Sequence, residues 1–378
     1  MYAYNDFIGE LRPVHNLYLS VLQMTLQLGK MAEDQRPSSA EITPLEEPVA
    51  PTALINQRRN RKVRLKPSKL SPIIISTPVS DTRGEIAVIE THVRKLVENL
   101  KSSTSLETIR EAAFELRLLA KDDENRISIA SCDGINPLVE LLLSPDLKTQ
   151  EHSVTALLNL SISDNNKIMI ANAEAIGPLI HVLQTGTPEA RENAAATLSS
   201  LSKFDINKTR IGSCGGIGPL VDLLENGSLQ GKKDAATALY NLSKTTENRS
   251  IIINSGAVKH LIDLMDPATG LVDRATVILA NLATVPEGRI AIAQAGGIPL
   301  LVEAVELGSP RGKENAAAAL WLFCSDSKSN RYCKRVLEEG GRPPLVALSM
   351  SGTARAKEKA IMILDHLRNV QRLYGKRG

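Results

Sequence analysis

One short pattern recurs seven times through the last three-quarters of this chain, and so fixed a period excludes most ways of folding. Its clearest part is a segment rich in Ala and Leu. The copies read EAAFELRLLA from Glu111, EHSVTALLNLS from Glu151, ENAAATLSSLS from Glu192 and KDAATALYNLS from Lys233. They continue as DRATVILANLA from Asp273, ENAAAALWLFC from Glu314 and EKAIMILDHLR from Glu358. Equivalent positions near the ends are Leu118, Asn159, Ser200, Asn241, Asn281, Leu322 and His366, spaced by 41, 41, 41, 40, 41 and 44 residues. A unit this short cannot bury its apolar face alone, so the copies must stack on one another.

Within each copy, apolar residues recur three and four positions apart, the spacing of a helix with one buried face. Each later unit opens with a dipeptide at fixed phase: Asn125-Arg126, Asn166-Lys167, Asn207-Lys208, Asn248-Arg249, Gly288-Arg289 and Asn330-Arg331. An Asn side chain can accept from a free backbone N–H, so these residues are expected to cap a short first helix. Gly134, Ala175, Gly216, Gly256, Gly297 and Gly341 mark its end, where glycine tolerates the left-handed conformation. Pro137, Pro178, Pro219 and Pro344 then open a second helix. A turn with Gly186, Gly227, Gly308 or Gly352 leads into the long third helix. Its Ala-rich start lets neighbouring backbones approach closely at little loss of helix propensity.

Residues 1–84 lie outside the period. Met1 to Met31 reads as one amphipathic helix after Pro13, and 32–84 as a disordered linker rich in Pro, Ser, Glu and Arg. The linker contains a basic run at 58–69, whose Arg58, Arg59, Arg61, Lys62 and Arg64 fit either a nuclear-import signal or a solvated basic segment. The array itself is expected over 85–372, with atypical first and last units, and 373–378 as a basic tail.

Composition narrows the function. Hydrophobic residues make up 43% of the chain and aromatics only 3%. That suits a core of aliphatic side chains between many helices better than a large enzyme pocket. A net charge of +3 does not call for a nucleic acid or an anionic membrane as partner. The longest apolar stretch, Leu17 to Leu28, is short of the roughly 18 residues of a spanning helix and is broken by polar residues. The expectation is a soluble, intracellular monomer. Cys132, Cys214, Cys324 and Cys333 form no C-x-x-C pair, and the six histidines show no metal-ligand spacing. No nucleophile motif or phosphate loop occurs, so no cofactor, metal or catalytic residue is expected.

Three helices in about 40 residues is the plan of an armadillo repeat. The repeats resemble that family from about Glu85 to Arg372, because period, Gly hinge, Pro and an A-L-x-N-L-S ending recur together. EARENAAATLSSLS, GKKDAATALYNLS, GLVDRATVILANLA, PEGRIAI, GSPRGKENAAAAL and GTARAKEKA are similar to the ordered units of plant U-box ubiquitin ligases. The resemblance implies an all-α fold, a right-handed solenoid of stacked repeats. No U-box-like run is found in 1–84, where SPIIISTPVSD is the nearest string, so ligase activity does not carry over.

In that family the third helices line a concave groove, and an Asn near their ends grips the backbone of an extended ligand. The matching residues are Asn159, Asn241 and Asn281, with Ser200 able to take part. The competing reading is that these amides tie one repeat to the next. Leu118, Leu322 and His366 depart from the pattern. Import adaptors of this fold place Trp one turn earlier, but the positions here hold Phe114, Thr155, Ala196, Thr237, Val277, Ala318 and Met362. Trp321 falls beside the Leu322 position and is expected inside the stack or at a seam. Cations recur near third-helix starts, among them Arg191, Lys232, Lys233, Arg274, Arg311 and Lys313, either as a basic ladder for an acidic or phosphorylated segment or as a solvated face. The functional expectation is a non-catalytic protein-binding scaffold in ubiquitin-linked plant signalling, cytoplasmic and also nuclear if the basic run is read. The alternative is the substrate-recognition part of a U-box E3 ligase whose U-box lies outside this chain.

Overall fold

The computed structural model describes residues 82–325 and 331–374. The expected helix at 1–31, the linker with its basic run, and the tail beyond Tyr374 lie outside these residues. Among the described residues there are twenty α-helices and no strand. Unit 1 is a pair, α1 (Thr82–Ser102) and α2 (Leu106–Leu119). Unit 2 comprises α3 (Asp123–Ser131), α4 (Ile135–Glu140) and α5 (Leu147–Leu160). Unit 3 comprises α6 (Asp164–Asn172), α7 (Ile176–Thr185) and α8 (Pro188–Leu201). Unit 4 is α9 (Asp205–Ser213), α10 (Ile217–Asn226) and α11 (Leu229–Leu242). Unit 5 is α12 (Thr246–Asn254), α13 (Ala257–Asp263) and α14 (Val272–Leu282). Unit 6 is α15 (Pro286–Gln294), α16 (Gly297–Leu307) and α17 (Pro310–Cys324). Unit 7 is α18 (Arg331–Glu338), α19 (Arg342–Ser351) and α20 (Ala354–Tyr374). The array therefore begins at Thr82, before the expected Glu85, and its last helix passes the expected end at 372.

Third helices pack on one another in chain order: α2 on α5, α5 on α8, α8 on α11, α11 on α14, α14 on α17 and α17 on α20. The small residues at their starts lie at these contacts. Ala112, Ala113, Ala194, Ala195, Ala235, Ala236, Ala275, Ala316 and Ala317 are all buried. One apolar core runs continuously from Val93 to Leu367. Stacking is what closes it, since each helix alone would leave a face in water.

Two expectations need correction. The first concerns the Asn of the opening dipeptide. It is not the helix cap; Asp122, Ser163, Phe204, Thr245 and Val285 hold that position. Asn166, Asn207 and Asn248 are buried in the first turn instead. Asn166 Nδ2 donates to Arg126 O at 3.3 Å, and Asn248 Nδ2 to Lys208 O at 3.0 Å, each in the unit before. Asn207 Nδ2 donates to Leu201 O, the end of the preceding third helix, at 3.0 Å. Each amide adds a second bond to a carbonyl that the backbone already engages or that lies in a helix, and so ties the chain across the seam. The neighbouring cation works on the same helix end. Arg126 Nε donates to Ala120 O at 2.9 Å, Lys167 Nζ to Ile162 O at 3.1 Å, and Arg249 Nε to Ser243 O at 2.9 Å. Positive charge at a helix C-terminus complements its dipole, so burying Lys167 is tolerable.

The second correction concerns the hinge. The left-handed residue is one position earlier than expected in most units: Asp133, Glu174, Gly215, Gly296 and Gly340, with only Gly256 as read. The next residue must be small because a helix side chain presses on it. A Cβ on Gly134 would lie 2.8 Å from Ile129 Cγ2, and one on Gly216 2.9 Å from Ile211 Cγ2.

Third-helix caps were overlooked in the sequence. Thr187, Ser228 and Ser309 each accept from a backbone N–H of their own first turn and donate to a carboxylate of the preceding unit. Thr187 Oγ1 donates to Glu151 Oε2 at 3.1 Å, Ser228 Oγ to Glu192 Oε1 at 2.5 Å, and Ser309 Oγ to Asp273 Oδ2 at 2.7 Å. Thr353 Oγ1 continues the series to Glu314 Oε2 at 2.6 Å. No such bracket enters unit 5, because Lys233 stands where the carboxylate would be and α14 has no side-chain cap.

The four cysteines are free. Cys324 and Cys333 are buried and adjacent, with Cys333 Sγ donating to Cys324 O at 3.5 Å. Among the described residues no single helix is long and apolar enough to cross a membrane. The helices α15 and α16 are together long and apolar but are bent by 89° where they meet.

Candidate functional site

The repeat-phased polar residues do come together on the stacked third helices, but much of their hydrogen bonding is internal. Asn159 Nδ2 donates to Arg117 O at 3.2 Å, one unit back. Ser200 Oγ donates to Ser161 O at 2.8 Å. Asn241 Nδ2 reaches Ser199 O at 3.2 Å and Ser202 Oγ at 3.0 Å, and Asn281 Nδ2 reaches Ser243 Oγ at 2.9 Å. All four residues are half-buried. Each amide thus ties its helix to the one before. An amide also has an acceptor, and no donor among the described residues reaches Oδ1 of Asn159 or Asn281.

The cations divide into two groups. Arg191 and Lys313 do not stand free on the third-helix face. Arg191 Nε donates to Leu183 O at 2.9 Å and its guanidinium also pairs with Asp222. Lys313 Nζ donates to Glu306 O at 2.8 Å. Both therefore sit at the C-terminal carbonyls of a second helix, where the dipole favours them. That explains why cations are tolerated so close to third-helix starts. Lys232 shares their register and is half-buried. Lys233, one residue further, is rotated by about 100° and is exposed. Among the described residues the side chains of Lys232, Lys233 and Arg311 make no salt bridge or hydrogen bond.

A second register links each third helix to its predecessor. His152 stacks against Phe114 with ring centroids 5.2 Å apart. Asn193 Nδ2 donates to Thr155 Oγ1 at 2.9 Å, and Arg274 Nη1 to Thr237 Oγ1 at 2.8 Å. At the same register Asn315 Nδ2 is buried with no partner. The residue in the place of Thr155 and Thr237 is Val277, which offers no acceptor. Phe114 and Leu118 leave an apolar, exposed end to this face. Burial, then the Arg117 charge, lowers the pKa of His152 beside Phe114. Burial also raises the pKa of Asp234.

The sequence reading overlooked one convergence. Tyr240, Asp273, Arg274, Val277 and Arg311 line a cleft of about 280 Å³ across α11, α14 and α17. Lys244 Nζ lies 4.1 Å from the centre of the Tyr240 ring. The signal was available: Tyr240 directly precedes the Asn241 position in an otherwise aromatic-poor chain. Trp321 is half-buried at the seam, edge-on to His366 at 6.4 Å, as expected. No group of three or more His, Cys, Asp or Glu suited to a metal occurs among the described residues.

The plant U-box protein ARM repeat region, as a family, matches residues 92–373. The chain belongs to this family. Among curated relatives of this armadillo chain, U-box domain-containing protein 4 of Arabidopsis thaliana is 68% identical over 285 residues, covering 75% of this chain and 34% of that protein. U-box domain-containing protein 14 of the same plant is 64% identical over 283 residues, covering 74% of this chain and 44% of that protein. The armadillo chain therefore spans between about a third and under half of these relatives. Among solved structures, an engineered protein matches with a TM-score of 0.63 and 29% identity, over 73% of this chain and 68% of that one. A designed armadillo repeat protein in complex with the peptide (KR)4 matches with a TM-score of 0.54 and 23% identity, over 62% of this chain and 99% of that one. The fold is thus that of the armadillo solenoid.

Proposed function

We propose that this armadillo chain is a non-catalytic scaffold that holds a segment of a partner protein along its stacked third helices, within ubiquitin-linked signalling. One observation carries the reading. Polar groups recur along the stacked third helices, and part of their capacity is unused: the side-chain oxygens of Asn159 and Asn281, and the side chains of Lys233 and Arg311. Such a row suits an extended or helical segment, whose backbone the amides grip and whose acidic or phosphorylated side chains the cations meet. Arg191 and Lys313 contribute to the field and not to contact. The reading places the chain in the cytoplasm, and in the nucleus if Arg58, Arg59, Arg61, Lys62 and Arg64 act as an import signal.

Affinity capture from plant extract followed by cross-link mapping tests it. Cross-links should fall on α5, α8, α11 and α14. Lys233→Glu with Arg311→Glu should cut capture at least about fivefold while the fold is retained by circular dichroism, because neither side chain makes a hydrogen bond or salt bridge among the described residues. Undiminished capture by that variant would refute the groove assignment. The alternative reading is the substrate-recognition part of a U-box E3, favoured by relatives that are U-box proteins and of which this chain covers 34% to 44%. Ubiquitin chain formation by this polypeptide with only activating and conjugating enzymes would overturn the non-catalytic reading.

A further inference from the structure

Unit 5 breaks the regularity at one rim of the stack. Its second helix α13 has only 7 residues, against 10 in α7 and α10. It ends at Asp263, and a short 3-10 turn follows, with Asp266 Oδ1 accepting from Ala268 N at 2.9 Å and Pro267 at its start. Gly270 then turns left-handed at φ 65°, a conformation other side chains rarely adopt. The third helix α14 consequently has 11 residues where α8 and α11 have 14. Close to one turn of helix is absent. The next unit does not compensate, because α16 runs to Leu307. Leu307 at its end is 72% exposed, at a position that is exposed in the other units too but holds Thr185, Asn226 or Ser351 there.

The resulting cleft has a volume of about 310 Å³. Its apolar walls are Met265, Pro267, Val272, Leu300, Ala304 and Leu307. Its charged lining residues are Asp273 and Glu303, and no Lys, Arg or His lines it. Glu303 makes no salt bridge among the described residues, and Asp273 accepts only the Ser309 hydroxyl. Arg274 and Arg311 line the other cleft, which Asp273 shares. The volume is at the lower limit for a small-molecule pocket and suits one side chain. Apolar walls would take an aliphatic stem out of water while the carboxylates meet a cationic head. Arginine is the side chain that most often anchors an interface in this way.

We propose that this cleft receives an arginine or lysine side chain of a partner protein, as an anchor separate from the third-helix face. The proposal rests on the rim defect alone and stands whether or not the groove reading does. The probe is the capped tripeptide acetyl-Leu-Arg-Leu-amide, titrated into the full chain with labelled Met and Leu methyl groups. Signals of Met265, Leu300 and Leu307 should shift. The citrulline counterpart, the same shape without the charge, should bind at least about fivefold more weakly. Glu303→Gln should weaken the arginine peptide to a similar degree. Spermidine serves as the free polyamine and should bind less tightly than the peptide. Absent shifts, equal binding of the citrulline peptide, indifference to Glu303→Gln, or tighter binding of spermidine would each overturn the assignment.

Discussion

Units 4 and 5 begin almost alike and end differently. Each opens with a nine-residue first helix, Asp205–Ser213 and Thr246–Asn254. Unit 4 then runs a full second helix to Asn226, turns at Gly227, and starts a capped third helix whose Ser228 also binds Glu192. Unit 5 stops its second helix at Asp263, detours through Pro267 and Gly270, and starts its third helix uncapped. The seam beyond it also lacks one clamp, since Gly288 stands where Asn248 bridges the seam before. The period hides all this, because the Asn241 to Asn281 interval is 40 residues where most are 41. A conserved interval can therefore accompany a local rearrangement of the rim, and that rearrangement opens a cleft.

The largest test of this contrast lies in the core. Leu239 and Leu279 are both fully buried at equivalent positions. Leu239→Ala and Leu279→Ala should each cost about 3 kcal/mol in urea unfolding. A much smaller loss at Leu279 would mean that unit 5 is loose throughout and not only at its rim. Next comes the seam clamp. Asn248→Ala removes the Nδ2 donor shared by Lys208 O and Leu242 O, the latter keeping Thr245 N at 3.1 Å, and should cost about 1 kcal/mol, measured the same way. The cap of unit 4 follows: Ser228→Ala should cost about 1 kcal/mol. A negligible loss there would make the uncapped start of unit 5 energetically unremarkable.

The smallest effect is electrostatic and lies next to Lys233. Burial raises the pKa of Asp234 above its ordinary 3.8. A carboxyl raised in the folded state binds its proton more tightly there than when unfolded. Its contribution favours folding at low pH and is lost as pH rises through the folded pKa. Asp234→Asn should thus raise the melting temperature at pH 7 and leave it unchanged below pH 3.8. His152 has the opposite sense, because its folded pKa is lowered. The unfolded chain takes up the proton more readily, so stability falls as pH drops through the unfolded value near 6.5 and the folded value beneath it. His152→Gln should flatten that part of the melting profile.

Much of the architecture was legible from residues alone. Ala at the starts of third helices and the Leu register behind them required close, repeated packing, and the stack has it. Where the reading failed, a residue type had two physical uses. Asn248 can cap a helix or clamp a neighbouring carbonyl, and only the neighbour decides. Arg191 can face a ligand or a helix C-terminus, and one residue of rotation separates the two. Gly134 can supply a left-handed turn or merely room, and Asp133 takes the turn while Ile129 requires the room.

By itself the sequence determined that this chain is a series of three-helix units sharing one core, because apolar spacing and period are local properties of the string. It also determined which residues recur on one register of each third helix. Only the tertiary structure decided which of their polar groups are already spent between repeats, and that the rim opens beside Asp273 and Glu303. Those outcomes depend on distances between residues about 40 apart in the chain, which are set by how one unit seats on the next.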